Sequence, residues 1–68
     1  MTKIEFKAEM IRLKDLLKIT SLIPTGGMAK NIIRDGYVKL NGSVCDIPGK
    51  KLKPGDQVEY EDNIIEIK

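Results

Sequence analysis

The sequence predicts a small α+β domain in which two packed helices are followed by a mostly antiparallel sheet, with a short strand at the N-terminus. Apolar residues recur at helical spacing between residues 13 and 33. After residue 36 they alternate with polar residues, as in strands that bury one face. A chain of 68 residues has room for one domain of this kind, and we expect residues 1–68 to form it.

Two elements are predicted before the first break in the chain. Residues 3–7 alternate polar and apolar side chains, which indicates a short strand. The leucines of residues 13–17 are spaced as on one face of a helix, which we expect to continue to Ile19. Because Pro24 disfavours helical backbone at the residue before it, this helix should end ahead of that proline.

A second helix is predicted between Thr25 and Gly36. The Thr25 hydroxyl can accept a hydrogen bond from a free backbone N–H in the first turn of a helix. An apolar stripe at helical spacing then runs through residues 28–33. Gly36 follows at the position where helices commonly end on a left-handed residue.

Short strands are predicted for the remainder of the chain. Residues 37–40 alternate polar and apolar side chains, which indicates a strand. Asn41 and Gly42 are a strong signal for a tight turn, so residues 43–45 should form the second strand of a hairpin. Residues 46–53 contain a proline–glycine pair and are predicted to be an irregular loop.

The chain should close with a hairpin. A proline–glycine–aspartate turn at residues 54–56 precedes a strand at residues 58–60. We expect this strand to pair with residues 64–67 around a turn at residues 61–63.

The composition argues against an enzyme. The chain has no histidine, so the usual general base of nucleophilic dyads is missing. With Cys45 as its only cysteine it offers no set of soft ligands for zinc and no internal disulfide. No apolar run approaches the roughly 20 residues that span a bilayer. We therefore expect a cytoplasmic, monomeric, non-catalytic protein without a metal, a cofactor or a membrane partner.

The charge is unevenly distributed along the chain. Residues 1–34 carry a net charge of +4, residues 35–55 of +2 and residues 56–68 of −4. Basic side chains also recur four residues apart on both predicted helices, so each pair shares a helix face. Like charges gathered in this way add nothing to folding, whereas a polyanion would neutralise them. The side chains predicted to contact phosphates are Arg12, Lys14, Lys18, Lys30, Arg34, Lys50 and Lys51, and Lys39 is predicted to belong to the same binding surface.

Three further residues are candidates for contact with such a polyanion. Gly26 and Gly27 would leave backbone N–H groups unobstructed at a helix N-terminus, where an anion is favoured. The alternative is that the two glycines only permit a tight turn between the helices. Asn41 could reach a sugar or a base, or it could serve only the turn.

Four segments of the chain form a recognisable series. They are residues 12–18, 25–36, 38–42 and 55–58. In order and spacing they resemble the S4 domain, an RNA-binding domain found in ribosomal protein S4, pseudouridine synthases and tyrosyl-tRNA synthetase. The resemblance covers about residues 11–60. It implies an alpha-L arrangement, in which two helices and an adjoining strand and loop contact structured RNA, ribosomal or transfer, mainly through its backbone and shape.

Carried over by position, Arg12, Lys30 and the Asn41–Gly42 turn match features of that family. The chain departs from the pattern at Gly26, where many members have arginine. The resemblance therefore implies binding to structured RNA and association with the ribosome, with one family arginine missing.

Two alternatives remain at this point. Residues 38–42 and 52–59 also resemble β-grasp sulfur-carrier proteins, but the chain ends in Glu66-Ile67-Lys68 and not in the Gly-Gly that those proteins need. The other alternative is a protein–protein adaptor whose partner is not RNA.

Overall fold

The computed structural model describes residues 2–68, whose helices and strands share one apolar core. Met1, the first residue of the predicted domain, lies outside the described residues. In chain order the elements are β1 (Thr2–Phe6), β2 (Ile11–Arg12), α1 (Leu13–Ile19), α2 (Gly26–Arg34), β3 (Val38–Leu40), β4 (Ser43–Val44), β5 (Lys51–Leu52), β6 (Gln57–Tyr60) and β7 (Asn63–Ile67).

The larger sheet has five strands in the order β1-β7-β6-β3-β4. The pairs β3–β4, β3–β6 and β6–β7 are antiparallel, which confirms the predicted mostly antiparallel sheet and its closing hairpin. The N-terminal strand β1 is the exception, since it pairs in parallel with β7, with Thr2 opposite Asn63 and Phe6 opposite Ile67.

A second sheet of two strands was not predicted. The strand β2 pairs antiparallel with β5, with Ile11 opposite Leu52 and Arg12 opposite Lys51. The prediction that residues 46–53 form an irregular loop is therefore wrong at its end. A strand of two residues shows no alternation, and its partner lies far away along the chain, so a local pattern could not indicate it.

Both predicted helices are present with capped ends. The Thr25 side chain accepts a hydrogen bond from the Met28 N–H at 3.1 Å, as predicted for an N-cap. At the other end of α2, Gly36 has a φ of +85°, the left-handed conformation expected just past a helix. The first helix ends with the Thr20 hydroxyl donating to the Leu16 carbonyl at 2.7 Å.

The turn between β3 and β4 forms as predicted. Asn41 and Gly42 both have positive φ, +51° and +88°, which is the pattern of the hairpin turns that match the twist of paired strands. The return strand is one residue shorter than expected, because β4 ends at Val44 and half-buried Cys45 follows it.

The core consists of twelve buried apolar side chains and, within residues 2–68, no buried polar or charged one. The two helices contribute five of them, including Leu16 and Ile33, which are fully buried. The larger sheet contributes Val38, Val58 and Ile65 from one face, so the helices lie on that face. No helix within residues 2–68 is long and apolar enough to span a membrane.

We expect the short strand β5 to be essential for stability. Replacing Leu52, which is fully buried, by alanine should lower the free energy of unfolding by about 2–5 kcal/mol, because it leaves a cavity in the shared core. Urea denaturation followed by circular dichroism measures the change. The matched control is Val44→Ala on β4, an exposed position where the change should stay within about 0.5 kcal/mol. Equal losses in both variants would contradict a core role for β5.

Candidate nucleic-acid interface

The pairing of β2 with β5 places two cationic side chains next to each other. Arg12 and Lys51 are direct partners across the two strands, and both are exposed. Side chains in this relationship lie on the same face with Cβ atoms about 4.5–5.5 Å apart. The sequence predicted each residue as a phosphate contact but gave no sign that they are neighbours.

Backbone hydrogen bonds hold the preceding loop against the start of α1. The Leu13 N–H donates to the Lys50 carbonyl at 2.9 Å, and the Lys14 N–H donates to the Pro48 carbonyl at 3.1 Å. These bonds satisfy N–H groups that a helix leaves free in its first turn. They also bring the backbone of residues 48–50 against the first residues of α1, although the two segments lie far apart in sequence. The four cations assembled in this way, called here the basic cluster, are Arg12, Lys14, Lys50 and Lys51.

No carboxylate forms a direct ion pair with the basic cluster within the part of the chain that the structure describes. The three ion pairs found there all lie on strands β1 and β7 or just after them, where Lys3 contacts Glu66 and Lys68 contacts Glu5 and Glu66. The basic cluster is therefore a concentration of positive charge without a directly bound counterion.

The helices extend this positive surface with three more cations. Lys18 lies one turn after Lys14 on α1 and is exposed. Lys30 and Arg34 lie one turn apart on α2 and are exposed as well, while Ala29 and Ile33 beside them are buried. Each pair thus occupies solvent-facing positions on its helix, as predicted.

The glycines at the start of α2 are not required by packing. A Cβ atom built on Gly26 or Gly27 meets nothing within 4 Å, and neither residue has a positive φ. Their N–H groups donate no hydrogen bond to any of residues 2–68, since the Thr25 hydroxyl is used by Met28. Free N–H groups at an open helix N-terminus are compatible with an anion contact, so the contact at Gly26 and Gly27 stays a prediction beside the alternative that the glycines only permit a tight turn.

The Asn41 side chain is occupied by the fold. Its amide nitrogen donates to the Asp56 carboxylate at 3.1 Å, and its oxygen accepts from the Gln57 N–H at 2.9 Å. The same carboxylate accepts from the Lys53 N–H at 3.0 Å. Asn41 therefore connects its own turn to the turn at residues 54–56, which supports its role as a turn residue. The bond between Asp56 and Asn41 had no local signal in the sequence, since the two residues belong to different turns.

The electrostatics of Asp56 follow from these bonds. The hydrogen bond from the Lys53 N–H lowers the pKa of the Asp56 carboxyl below its ordinary value of 3.8. Partial burial of the carboxyl has a smaller effect in the opposite direction. The Asn41 amide and the nearby charges of Lys53 and Lys50 lower this pKa further. The Asp56 carboxylate thus stabilises the turn that directly follows Lys50 and Lys51.

Lys39 has different surroundings from the other predicted contacts. It alternates along β3 with the inward-facing Val38, so it points away from the face covered by the helices. Its cross-strand partners are Val44 and Glu59. The fold does not bring Lys39 into the basic cluster, and its contact with RNA stays a prediction.

The described residues offer no candidate for a metal centre. Within residues 2–68, no three His, Cys, Asp or Glu side chains are grouped as metal ligation would need. The only cysteine, Cys45, is half-buried. The fold and this surface define a small α+β domain that presents unneutralised cations beside two packed helices.

The comparison with known families agrees with this class. The sequence profile of the S4 domain matches residues 4–68, so the chain belongs to the S4 domain family. The match includes both helices as well as the strands that also resemble β-grasp carriers.

The most similar curated proteins in this comparison include bacterial small ribosomal subunit proteins uS4. The protein from Rickettsia canadensis is 36% identical over 56 residues, which is 82% of this chain and 27% of that protein. The protein from Nitrobacter winogradskyi is 41% identical over 51 residues, or 75% of this chain and 25% of that protein. The chain spans about a quarter of the length of these relatives.

Acid should reveal the contribution of Asp56 to stability. Because its pKa is lower in the folded than in the unfolded chain, its stabilising effect is present above pH 3.8 and is lost as the pH falls through the folded value. We expect Asp56→Asn to be less stable than wild type near neutral pH, with the difference shrinking below pH 3.8. Urea denaturation across this range measures it.

The matched control is Asp46→Asn. This side chain is exposed and makes no hydrogen bond to any of residues 2–68, so the variant should follow wild type at every pH. A difference between Asp56→Asn and wild type that stays constant with pH would contradict the role given to the Asp56 carboxylate.

Proposed function

We propose that the chain is a non-catalytic protein that docks on folded RNA through the basic cluster. The observation that carries this proposal is the β2–β5 pairing, which sets Arg12 directly opposite Lys51 with no carboxylate to neutralise them. Like charges directly opposite each other are unfavourable, so this arrangement calls for an external anion. The helices add three exposed cations, Lys18, Lys30 and Arg34, with which a polyanion could also interact.

RNA is favoured over DNA by the family to which the chain belongs. The relatives carry the name of the small ribosomal subunit, and we extend that context to this chain as folded ribosomal RNA, with transfer RNA as the second possibility. Folded RNA is recognised largely by shape and by contacts to phosphates and 2′-hydroxyls, which need cations more than base-reading side chains. The protein would act as a cytoplasmic monomer without a cofactor, bound to RNA or to the ribosome.

The loop lysines provide a first test. If about four phosphates are neutralised, log affinity for a structured RNA should fall with log salt at a slope near −3. Removing two of the four cations by Lys50→Ala and Lys51→Ala together should reduce the slope to about −1.5 and weaken binding most at low salt. Fluorescence anisotropy with a labelled RNA hairpin and a matched DNA duplex measures both.

The control for this test is Lys39→Ala. Lys39 is an exposed lysine on the sheet face away from the helices, so its removal should change the slope little. An equal effect of all three lysines would indicate diffuse charge attraction and no defined interface. Absence of binding at any salt would favour a protein–protein adaptor, and a pull-down that survives nuclease treatment would support that alternative.

The start of α2 provides a second test. Gly26→Asp adds a negative charge where we place an RNA phosphate, and the open space around Gly26 accommodates the side chain. The variant should bind RNA about tenfold more weakly, yet unfold no more easily, because an acidic residue suits the first turn of a helix. Gly26→Ala should bind as wild type does. Unchanged affinity in Gly26→Asp would exclude an anion at this position.

A further inference from the structure

A groove runs along the side of α1 next to the basic cluster. Its volume of about 430 Å³ falls within the range of about 300–1,000 Å³ that is usual for sites holding small organic groups. It begins at β2 and ends at the last residue of α1, so Arg12 belongs both to this groove and to the basic cluster. The lining residues of this α1 groove are Met10, Ile11, Arg12, Asp15, Lys18 and Ile19.

Half of the residues that line the α1 groove are apolar. Met10 is 55% exposed and Ile19 57% exposed, although both are large hydrophobic side chains, and Ile11 beside them is part of the core. A flat apolar group inserted here would remove these side chains from water, which is favourable in proportion to the area covered.

The polar side chains of the groove have no partner in the fold. Arg12, Asp15 and Lys18 all line it, yet within residues 2–68 none of them forms an ion pair or a side-chain hydrogen bond. A half-buried carboxylate therefore lines the same groove as the apolar side chains with its acceptor atoms free, and two cations remain available there. This combination of an apolar slot, one acceptor and two cations matches the chemistry of a nucleotide.

We propose that the α1 groove holds one unpaired guanine nucleotide that projects from an RNA docked on the basic cluster. The base packs against Met10 and Ile19, and its adjacent N1–H and N2–H groups donate to the Asp15 carboxylate. Arg12 and Lys18 contact the flanking phosphates. In a paired stem these N–H groups are already used, and the base is not accessible, so the carboxylate selects an unpaired base.

This inference deepens the proposed function and rests on it. The basic cluster binds the backbone of any folded RNA, whereas the α1 groove makes the protein distinguish an RNA with a bulged guanine from a continuous stem. Packing of one base on a protein surface contributes enough to change affinity about tenfold.

Three hairpin RNAs test the proposal by fluorescence anisotropy with the full chain. They share one stem and differ only in having no bulge, a single bulged guanosine, or a single bulged abasic nucleotide. We expect the bulged guanosine to bind about tenfold more tightly than the other two. The abasic nucleotide separates recognition of the base from recognition of the backbone bend.

Variants of the groove should remove this preference without removing RNA binding. Met10→Ser combined with Ile19→Ser should bring the three RNAs to equal affinity. Asp15→Asn should reduce the preference severalfold, since the carboxamide offers one acceptor where the carboxylate offers two. The matched control is Met28→Ser, an exposed methionine on α2 outside the groove, which should keep the full preference.

The outcomes separate this inference from the function on which it rests. Equal affinity of wild type for all three RNAs, still weakened in the Lys50→Ala, Lys51→Ala variant, would overturn the groove and leave RNA docking intact. An abasic bulge that binds as tightly as the guanosine bulge would also overturn it. If no RNA binds, both proposals fail together.

Discussion

The two-residue pairing of β2 with β5 is the contact on which the rest of the surface depends. One of its residue pairs, Ile11 with Leu52, points into the core, and the other, Arg12 with Lys51, points to solvent. Burying a leucine side chain contributes about 1.5–3 kcal/mol, whereas like charges across strands cost at most about 1 kcal/mol. Burial therefore outweighs repulsion, and the apolar pair holds the cationic pair together.

Local sequence patterns predicted the elements that local interactions determine. The two helices follow from apolar spacing and the cap at Thr25, and the hairpins from the Asn41–Gly42 turn and the alternation at the end of the chain. The pairs β2–β5 and β1–β7 join residues far apart along the chain, and neither strand partner carries a signal of the other. A register between distant segments depends on the packed core and is absent from any short window of sequence.

The candidate site could likewise be predicted only where local patterns determine it. Exposure of the lysines and arginines was predictable from composition and helical spacing, but their grouping was not. The sequence could not show that Lys51 lies opposite Arg12, or that Lys39 lies on the sheet face away from the helices. It also gave no indication of Asp15 as an unpaired acceptor, since an acidic residue in the first turn of a helix is ordinary. Faces and neighbours are properties of the tertiary structure.

The parallel pairing of β1 with β7 determines when the larger sheet can be completed. Every residue of β1 pairs with a residue that lies about 60 positions later in the chain, since Thr2 pairs with Asn63 and Phe6 with Ile67. During synthesis the helices and the β3–β4 hairpin can form from neighbouring residues, whereas β1 has no partner until residues 63–67 are available. Throughout that interval β1 is an unpaired edge capable of pairing with another chain. The nascent protein is thus most exposed to misassociation at its first strand, and the arrival of its last strand ends that exposure.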